Sequence, residues 1–234
     1  MAQQLSIDVR EKRFGDGPVL FSDFRLEVAA GSVVALLGPS GVGKSSLVRM
    51  VAGIDTAFDG TILIDGVPAA AVGPPGLVFQ DPRLLPWLSA VDNVRASDAK
   101  MSRATALAVL ERVGLADRGE AFPHQLSGGM QRRVALARAL AVNAELLLLD
   151  EPFVSLDRAL ADEMQELVAG LIAATRPTVL LVTHLPADAA RLADRVIALA
   201  GRPAQIVADV GLPVPREARD AAIIAGYVRA LAAG

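Results

Sequence analysis

Short apolar runs alternate with segments of helical periodicity along most of the chain. The runs VVALL (33–37), ELLLLD (145–150) and TVLLVT (178–183) are too uniformly apolar for strands with one solvated face. Such runs are typical of strands buried on both faces of a parallel sheet. The segments between them, such as KSSLVRMVAGI and LDRALADEMQELVAGLIAAT, repeat apolar residues at helical spacing. This alternation predicts an α/β fold.

Further segments outside these buried runs have strand patterns. LSIDV and FRLEV near the N-terminus alternate apolar and polar residues, as strands near the edge of a sheet do. TILIDG, GLVFQ, RVIALA and AQIVADV predict further strands, and the last segment, REARDAAIIAGYVRALAAG, predicts a closing helix.

The alternation of strand and helix patterns stops between residues 81 and 141. A proline loop, DPRLLPW, is followed by two short amphipathic segments and the longer SGGMQRRVALARALAV, and no strand candidate falls in this stretch. We therefore expect a single domain over residues 1–234, with a helical subdomain at 81–141 inserted into the α/β core.

Composition excludes several classes of protein. The chain of 234 residues is 53% hydrophobic, yet its apolar runs are far shorter than the roughly 20 residues that cross a bilayer. The first residues, MAQQLSIDVREKRF, contain no apolar segment of the kind that signal peptides have. The net charge of −3 gives no basic footprint for nucleic acid, and the absence of cysteine excludes disulfides and thiol catalysis.

The segment GPSGVGKSS follows the buried run VVALL directly. Residues 38–45 fit the pattern G-x-x-x-x-G-K-[ST], in which backbone N–H groups surround phosphate oxygens at the start of a helix. In that pattern the lysine reaches the β- and γ-phosphates and the serine hydroxyl binds Mg²⁺. The alternative is a glycine turn without a ligand. The predicted nucleotide contacts are Gly38, Pro39, Ser40, Gly41, Val42, Gly43, Lys44, Ser45 and Ser46.

Two acidic residues end the buried run LLLLDEP. The run predicts a strand that carries Asp150 to its carboxyl end, where α/β sheets bind ligands. An acid at this position can hold the water shell of Mg²⁺, and Glu151 beside it can serve as general base for a water that attacks the phosphate. The same pattern also fits a strand that ends in two solvated acids.

A third segment, LSGGM, places Ser127, Gly128 and Gly129 at the head of a predicted helix. The arrangement offers free N–H groups, a helix dipole and a hydroxyl to an anion, although an ordinary helix cap has the same pattern. If this helix start and the glycine loop do not converge within one chain, the second start is available to the nucleotide of another copy.

With these three segments in this order, the sequence resembles the ATP-binding cassette (ABC) ATPases over nearly its whole length. LSGGM matches the family signature with Met130 as a departure, Gln80 matches the Q-loop, and His184 matches the switch histidine. Ser155 to Asp157 resembles the D-loop, with Val154 where a smaller residue is usual. Phe14 lies where the family stacks an aromatic ring on adenine.

Each of these single residues also has a structural interpretation. Gln80 could end a strand, His184 could cap a strand–helix junction, and Phe14 could be a core aromatic residue. The second histidine, His124, is expected to shape the signature loop.

The resemblance implies a P-loop NTPase core with a mixed, mainly parallel sheet, an antiparallel β subdomain at its edge and the helical insert. It also implies ATP and Mg²⁺ as ligands, with Ser45, Gln80 and Asp150 around the metal and Lys44, Gln80, Glu151 and His184 as catalytic residues. Two copies are expected to hold ATP between the P-loop of one and Ser127, Gly128, Gly129 and Asp157 of the other.

The partners are implied by the same resemblance. An integral membrane permease is expected to dock at Asp81–Leu88, where Leu84, Leu85 and Trp87 are apolar anchors, so that the chain is peripheral at the cytoplasmic face of the cell membrane. VFQDPRLLPWLSAVDNV together with LSGGM is most similar to importers of nitrate, sulfonates and taurine, which use a separate substrate-binding protein.

Two other classes of function remain as alternatives. One is a non-transport ABC ATPase acting on nucleic acid or the ribosome, which the single cassette and the missing basic patch disfavour. The other is a regulatory subunit that binds ATP without hydrolysing it, which the presence of Lys44, Asp150, Glu151 and His184 disfavours.

Overall fold

The computed structural model describes residues 2–98, 100–142, 145–154 and 156–232. Its strands are β1 (Leu5–Lys12), β2 (Phe21–Val28), β3 (Val33–Leu37), β4 (Asp59–Ile64), β5 (Val67–Pro68), β6 (Gly76–Val78), β7 (Leu146–Asp150), β8 (Thr178–Thr183), β9 (Arg195–Ala200) and β10 (Gln205–Gly211). Its α-helices are α1 (Lys44–Val51), α2 (Ala90–Arg95), α3 (Arg103–Arg112), α4 (Gly128–Ala141), α5 (Arg158–Thr175), α6 (Pro186–Leu192) and α7 (Ala221–Ala232).

The strands form two sheets. The smaller sheet has the order β2-β1-β4-β5 and is antiparallel throughout. The larger sheet has the order β10-β9-β3-β8-β7-β6, and its strands are parallel except for the antiparallel edge strand β10. The predicted α/β fold, with a mainly parallel core sheet and an antiparallel β unit, is confirmed.

Burial explains why the central strands lack polar alternation. Every residue of β3, β7 and β8 is buried. Those facing one side of the sheet join a core with helices α2 to α6, and those facing the other side join a core with α1 and the antiparallel sheet. A strand covered on both faces has no position at which a polar side chain reaches water, and this produces the uniform runs in the sequence.

Parallel strands bring four loops to one edge of the larger sheet. β3 leads into the glycine loop, β6 into the loop that contains Gln80, β7 ends at Asp150, and β8 leads to His184. The carboxyl ends of parallel strands lie at the same edge of a sheet. The topology therefore places residues more than 100 positions apart in sequence next to one another.

Helices fill the sequence between β6 and β7. In its described part, residues 79–98, 100–142 and 145, this stretch contains α2, α3, α4 and short 3₁₀ turns but no strand. Across all the described residues, no helix combines the length and the apolarity needed to span a membrane.

Candidate nucleotide-binding site

Two glycines of the loop after β3 are required by close approach of the backbone. Gly43 has φ of +116° and precedes α1 directly, and a Cβ there would lie 2.8 Å from the Phe21 ring. At Gly38 a Cβ would lie 2.5 Å from the carbonyl oxygen of Leu199. Any larger side chain would push the loop away from the sheet and from the helix start that it precedes.

Lys44 lies folded back under this loop. Its Nζ donates hydrogen bonds to the carbonyl oxygens of Gly38 (2.7 Å) and Pro39 (3.0 Å). Burial lowers the pKa of Lys44, while the carboxylates of Glu151 and Asp150 act in the opposite direction. The buried ammonium is held by neutral carbonyl oxygens, which an anion entering the loop would outcompete because charged hydrogen bonds are stronger.

Ser45 and Asp150 meet although 105 residues separate them in sequence. The Ser45 hydroxyl donates to Asp150 Oδ1 at 2.9 Å. Burial raises the pKa of Asp150, and the Ser45 hydrogen bond and the nearby cations partly offset this effect. A hydroxyl and a carboxylate together are hard oxygen donors of the kind that Mg²⁺ prefers, with substrate phosphates supplying the rest of its shell.

Glu151 is turned toward His184 by an unusual backbone conformation. Its φ is +49°, a left-handed value that costs energy for a residue with a side chain, and its N–H donates to the carbonyl of Val182. The carboxylate Oε2 lies 3.2 Å from His184 Nδ1. The structure thus pairs the two residues that the sequence nominated as general base and switch histidine.

A buried acid behind His184 was missed by the sequence analysis. Asp188 accepts hydrogen bonds from Thr183 Oγ1 and from Gln165 Nε2, both at 2.7 Å. Burial raises the pKa of Asp188. Because Thr183 precedes His184 directly, this network fixes the end of β8 against α5. The available signal was an acidic residue in the first turn of a helix, four positions after the histidine.

A cavity of about 330 Å³ opens over the loop. It is lined by Phe14, Leu20, Ser40, Gly41, Gly43, Lys44, Ser45, Ser46, Gln80, Glu151 and Arg202. The larger part of this lining was predicted from sequence. Arg202 was not predicted, because its segment GRPAQ has the pattern of an ordinary loop between two strands.

Phe14 is 55% exposed, so it is not a core aromatic residue. The Lys12 ammonium lies 4.5 Å from the centroid of its ring. Lys12 itself is buried and is held by the Asp55 carboxylate and the carbonyl of Ala57. The ring is therefore supported from below by an anchored cation, in an arrangement of favourable cation–π geometry, and it borders the cavity.

The residues of the signature segment lie elsewhere. Ser127 caps α4 by accepting from the N–H of Met130 at 3.3 Å, and Asp157 caps α5 by accepting from the N–H of Leu160 at 3.0 Å. Ser127, Gly128 and Asp157 are exposed, and among the described residues they are not part of the cavity lining. Gly129 is buried, and a Cβ there would lie 2.4 Å from Leu160. Ser155 of the predicted D-loop lies outside the described residues.

The proline loop at 81–88 is held by two side chains from neighbouring helices. Asn93, which is fully buried, accepts from the N–H of Leu85 and donates to the carbonyls of Leu85 and Leu88. Arg138 donates to the carbonyls of Pro82 and Arg83. Trp87 remains 70% exposed on this ordered loop.

We compared the chain with known protein families and proteins. The family model described as ABC transporter matches residues 21–154. The chain belongs to the ABC transporter family. An aliphatic sulfonates import ATP-binding protein SsuB 2 of Burkholderia cenocepacia is 41% identical over 232 residues, which cover 96% of this chain and 85% of the relative. A protein of the same name from Xanthomonas axonopodis pv. citri is 46% identical over 205 residues, covering 87% and 69%.

Solved structures support the same assignment for this ABC protein. The ATP-binding cassette MJ0796, described as dimeric in a post-hydrolysis state and bound to ADP and Pi, superposes with a TM-score of 0.79. It is 29% identical, and the match covers 91% of this chain and all of that chain. The predicted family and fold class are both confirmed.

Proposed function

We propose that this chain is the ATP-hydrolysing subunit of an ABC transporter, and that its cavity over residues 38–46 binds MgATP. The observation that carries the proposal is the contact between Ser45 and Asp150 above a buried Lys44. It supports a site that presents a cation and hard oxygen donors to a phosphate chain. The ADP- and Pi-bound state of MJ0796 further supports hydrolysis.

The roles of the site residues follow from their positions. Lys44 exchanges its carbonyl partners for phosphate oxygens and neutralises charge that develops on the γ-phosphate. Glu151 accepts a proton from the attacking water, and His184, 3.2 Å away, holds the carboxylate and the departing γ-phosphate in place. Gln80 lines the cavity and positions the water and the metal.

Mg²⁺ would be held by Ser45 Oγ and Asp150, with Gln80 as a third ligand, and it would supply positive charge that neutralises the phosphate oxygens. Ser45 Oγ and Asp150 Oδ1 already lie 2.9 Å apart, so both oxygens are available to one ion after a small adjustment.

The site is completed by a second copy. The exposed position of Ser127, Gly128 and Asp157 away from the cavity supports a head-to-tail homodimer in which these residues and Gly129 face the partner's nucleotide. Each helix start would then contribute to one shared site.

The membrane partner is a permease that docks at Asp81–Leu88. The exposed Trp87 supports this assignment, because it stands on a loop ordered by Asn93 and Arg138 and binds without a large entropic cost. Residues 81–141 would serve as the helical subdomain that carries this contact. The chain would be peripheral on the cytoplasmic face of the cell membrane, and a substrate-binding protein would act through the permease.

The transported solute is proposed to be an aliphatic sulfonate. The names of the Burkholderia and Xanthomonas relatives support this choice within the wider group of nitrate, sulfonate and taurine importers. The chain's own cavity contacts nucleotide rather than solute, so the solute class depends on the relatives alone.

Reconstitution tests the proposal. The chain is purified from membranes with its permease, placed in lipid vesicles with the substrate-binding protein, and its phosphate release is measured with ethanesulfonate, taurine and nitrate. We expect ATP hydrolysis that ethanesulfonate stimulates. Stimulation by nitrate alone would overturn the solute class, and failure to copurify any membrane protein would overturn the transport function.

A further inference from the structure

The wall of the cavity beside Phe14 contains a cation that belongs to none of the recognised segments. Arg202 lies in the turn between β9 and β10 and lines the cavity together with Ser40, Gly41 and Lys44. One of its terminal nitrogens is 3.4 Å from the carbonyl oxygen of Gly41, a long contact at the limit of hydrogen bonding.

The backbone that carries Arg202 is fixed to the strand pair that carries Phe14. The Ala204 N–H donates to the carbonyl of Leu20 at 2.8 Å, and Phe21 and Ala204 form a parallel bridge. On the other side, Ala200 pairs with Gln205 across the turn. The guanidinium therefore reaches the cavity from an anchored turn rather than from a loose end.

The guanidinium of Arg202 lines the cavity and is available to an incoming anion. Arg10 on β1 and Arg13 just after it are instead paired with Asp59 and Glu11. Within the described ranges, Arg202 has no carboxylate at ion-pair distance, and its side chain is exposed at the cavity mouth. Guanidinium groups bind phosphate oxygens well because their planar donors match two oxygens at once.

We propose that Arg202 is a further nucleotide-binding residue, which pairs with the polyphosphate chain at the Phe14 side of the cavity. This inference rests on the proposed nucleotide site. The phosphate chain would then contact two cations. Lys44 approaches it from beneath the glycine loop, and Arg202 approaches it from outside that loop.

A structural role is the competing explanation. In that case Arg202 would act only by donating to the Gly41 carbonyl and steadying the loop. The two explanations separate by substitution: Arg202→Gln keeps an N–H donor and loses the charge, whereas Arg202→Lys keeps the charge and loses the planar fork.

The test measures the dissociation constant of MgADP by titration calorimetry on the full chain, at about 50 and 300 mM salt. Variants are Arg202→Ala, Arg202→Gln and Arg202→Lys, with Arg229→Ala on the exposed side of α7 as control. We expect roughly tenfold weaker binding for the Ala and Gln variants, within about threefold of wild type for Lys, and no change for the control. The difference should shrink at the higher salt concentration.

Each outcome is decisive. Binding by Arg202→Ala within twofold of wild type overturns the assignment, as does a Gln variant that binds like wild type, since either result leaves the charge without a role. If the wild-type protein itself does not bind MgADP, the proposed nucleotide site fails together with this inference. If the wild-type protein binds MgADP and the Arg202 variants bind it equally well, this inference alone fails.

Discussion

Two helix starts in this molecule offer N–H groups to an anion, and they are built in opposite ways. α1 begins after Gly43, which has no side chain to cap it, and α1's first residue is the buried Lys44. α4 begins after Ser127, whose hydroxyl accepts from the Met130 N–H, and its first residue is an exposed glycine. The first start lacks any side-chain cap; the second is capped and faces solvent.

This difference indicates that the two helix starts have different functions in the proposed dimer. An uncapped helix start above a buried lysine is favourable when a phosphate supplies the missing acceptors. A capped, exposed start is stable alone and needs only a partner's nucleotide to become useful. The contrast explains why one chain contains two such starts that do not share a cavity.

Removing the cation beneath the first start should have the largest effect. Lys44→Ala deletes the positive charge that neutralises the phosphates, so we expect MgATP affinity to fall at least 100-fold and hydrolysis to vanish. Equilibrium binding and phosphate release measure the two quantities. Lys100→Ala, at an exposed lysine, is the matched control and should behave as wild type; nucleotide binding unchanged in Lys44→Ala would refute the site.

Blocking the start of α4 should abolish ATP hydrolysis and leave ATP binding intact. Ser127→Arg places a bulky cation on the face expected to meet the partner's nucleotide, so ATP binding by one copy should stay within about twofold while hydrolysis falls at least 100-fold. Loss of the cap costs about 1 kcal/mol, a drop in Tm of roughly 2–4 °C, which thermal unfolding distinguishes from misfolding. A large loss of affinity in the monomer would contradict the shared site.

Asp150 should show a conflict between function and stability. Burial raises its pKa in the folded state, so the folded protein favours the protonated acid and loses stability as pH rises from the ordinary carboxyl range through the folded-state pKa. Asp150→Asn cannot ionise. We expect its Tm without ligand to exceed that of wild type at pH 7 by about 2–4 °C, roughly 1 kcal/mol, with the gap closing as pH falls toward 4.

The same variant should lose the dependence of ATP binding on Mg²⁺, because the amide is a weaker ligand than the carboxylate. Asp117→Asn, at an exposed acid, is the control and should change neither quantity. A Tm below that of wild type at pH 7 would show that Asp150 is stabilised by its neighbours more than it is penalised by burial.

The smallest effect on the isolated chain is expected at Trp87. Its side chain is mostly exposed, so Trp87→Ala should change stability by less than about 0.5 kcal/mol and leave nucleotide binding as it is. Copurification with the permease should instead be lost. Leu185→Ala, at another exposed apolar residue, is the control; equal permease recovery from both variants would exclude Trp87 as an anchor.

Features that depend on residues close together in sequence could be predicted from the sequence. Uniform apolar runs identified β3, β7 and β8 because burial on both faces leaves no other pattern, and the glycine loop was recognisable because its chemistry requires adjacent residues. The two-residue strand β5 was not predicted, because a pair of residues has no periodicity.

The remaining contacts depend on residues that only tertiary structure brings together. Arg202 reaches the cavity because a backbone hydrogen bond connects its turn to Leu20. Asn93 orders the loop that precedes its own helix through hydrogen bonds with Leu85 and Leu88. Neither residue type is unusual at its position in the sequence. The separation of Ser127 from the cavity likewise follows from packing, and not from the spacing of motifs.

The decisive measurement for the shared nucleotide site is the mass of the Glu151→Gln variant in solution with and without MgATP, determined by sedimentation at several protein concentrations. Without a general base the nucleotide is not cleaved, so two copies should stay closed around it. We expect a dimer of about twice the chain mass with ATP and a monomer with ADP. A variant that binds ATP and still sediments as a monomer at every concentration, with or without the permease, would contradict the shared site.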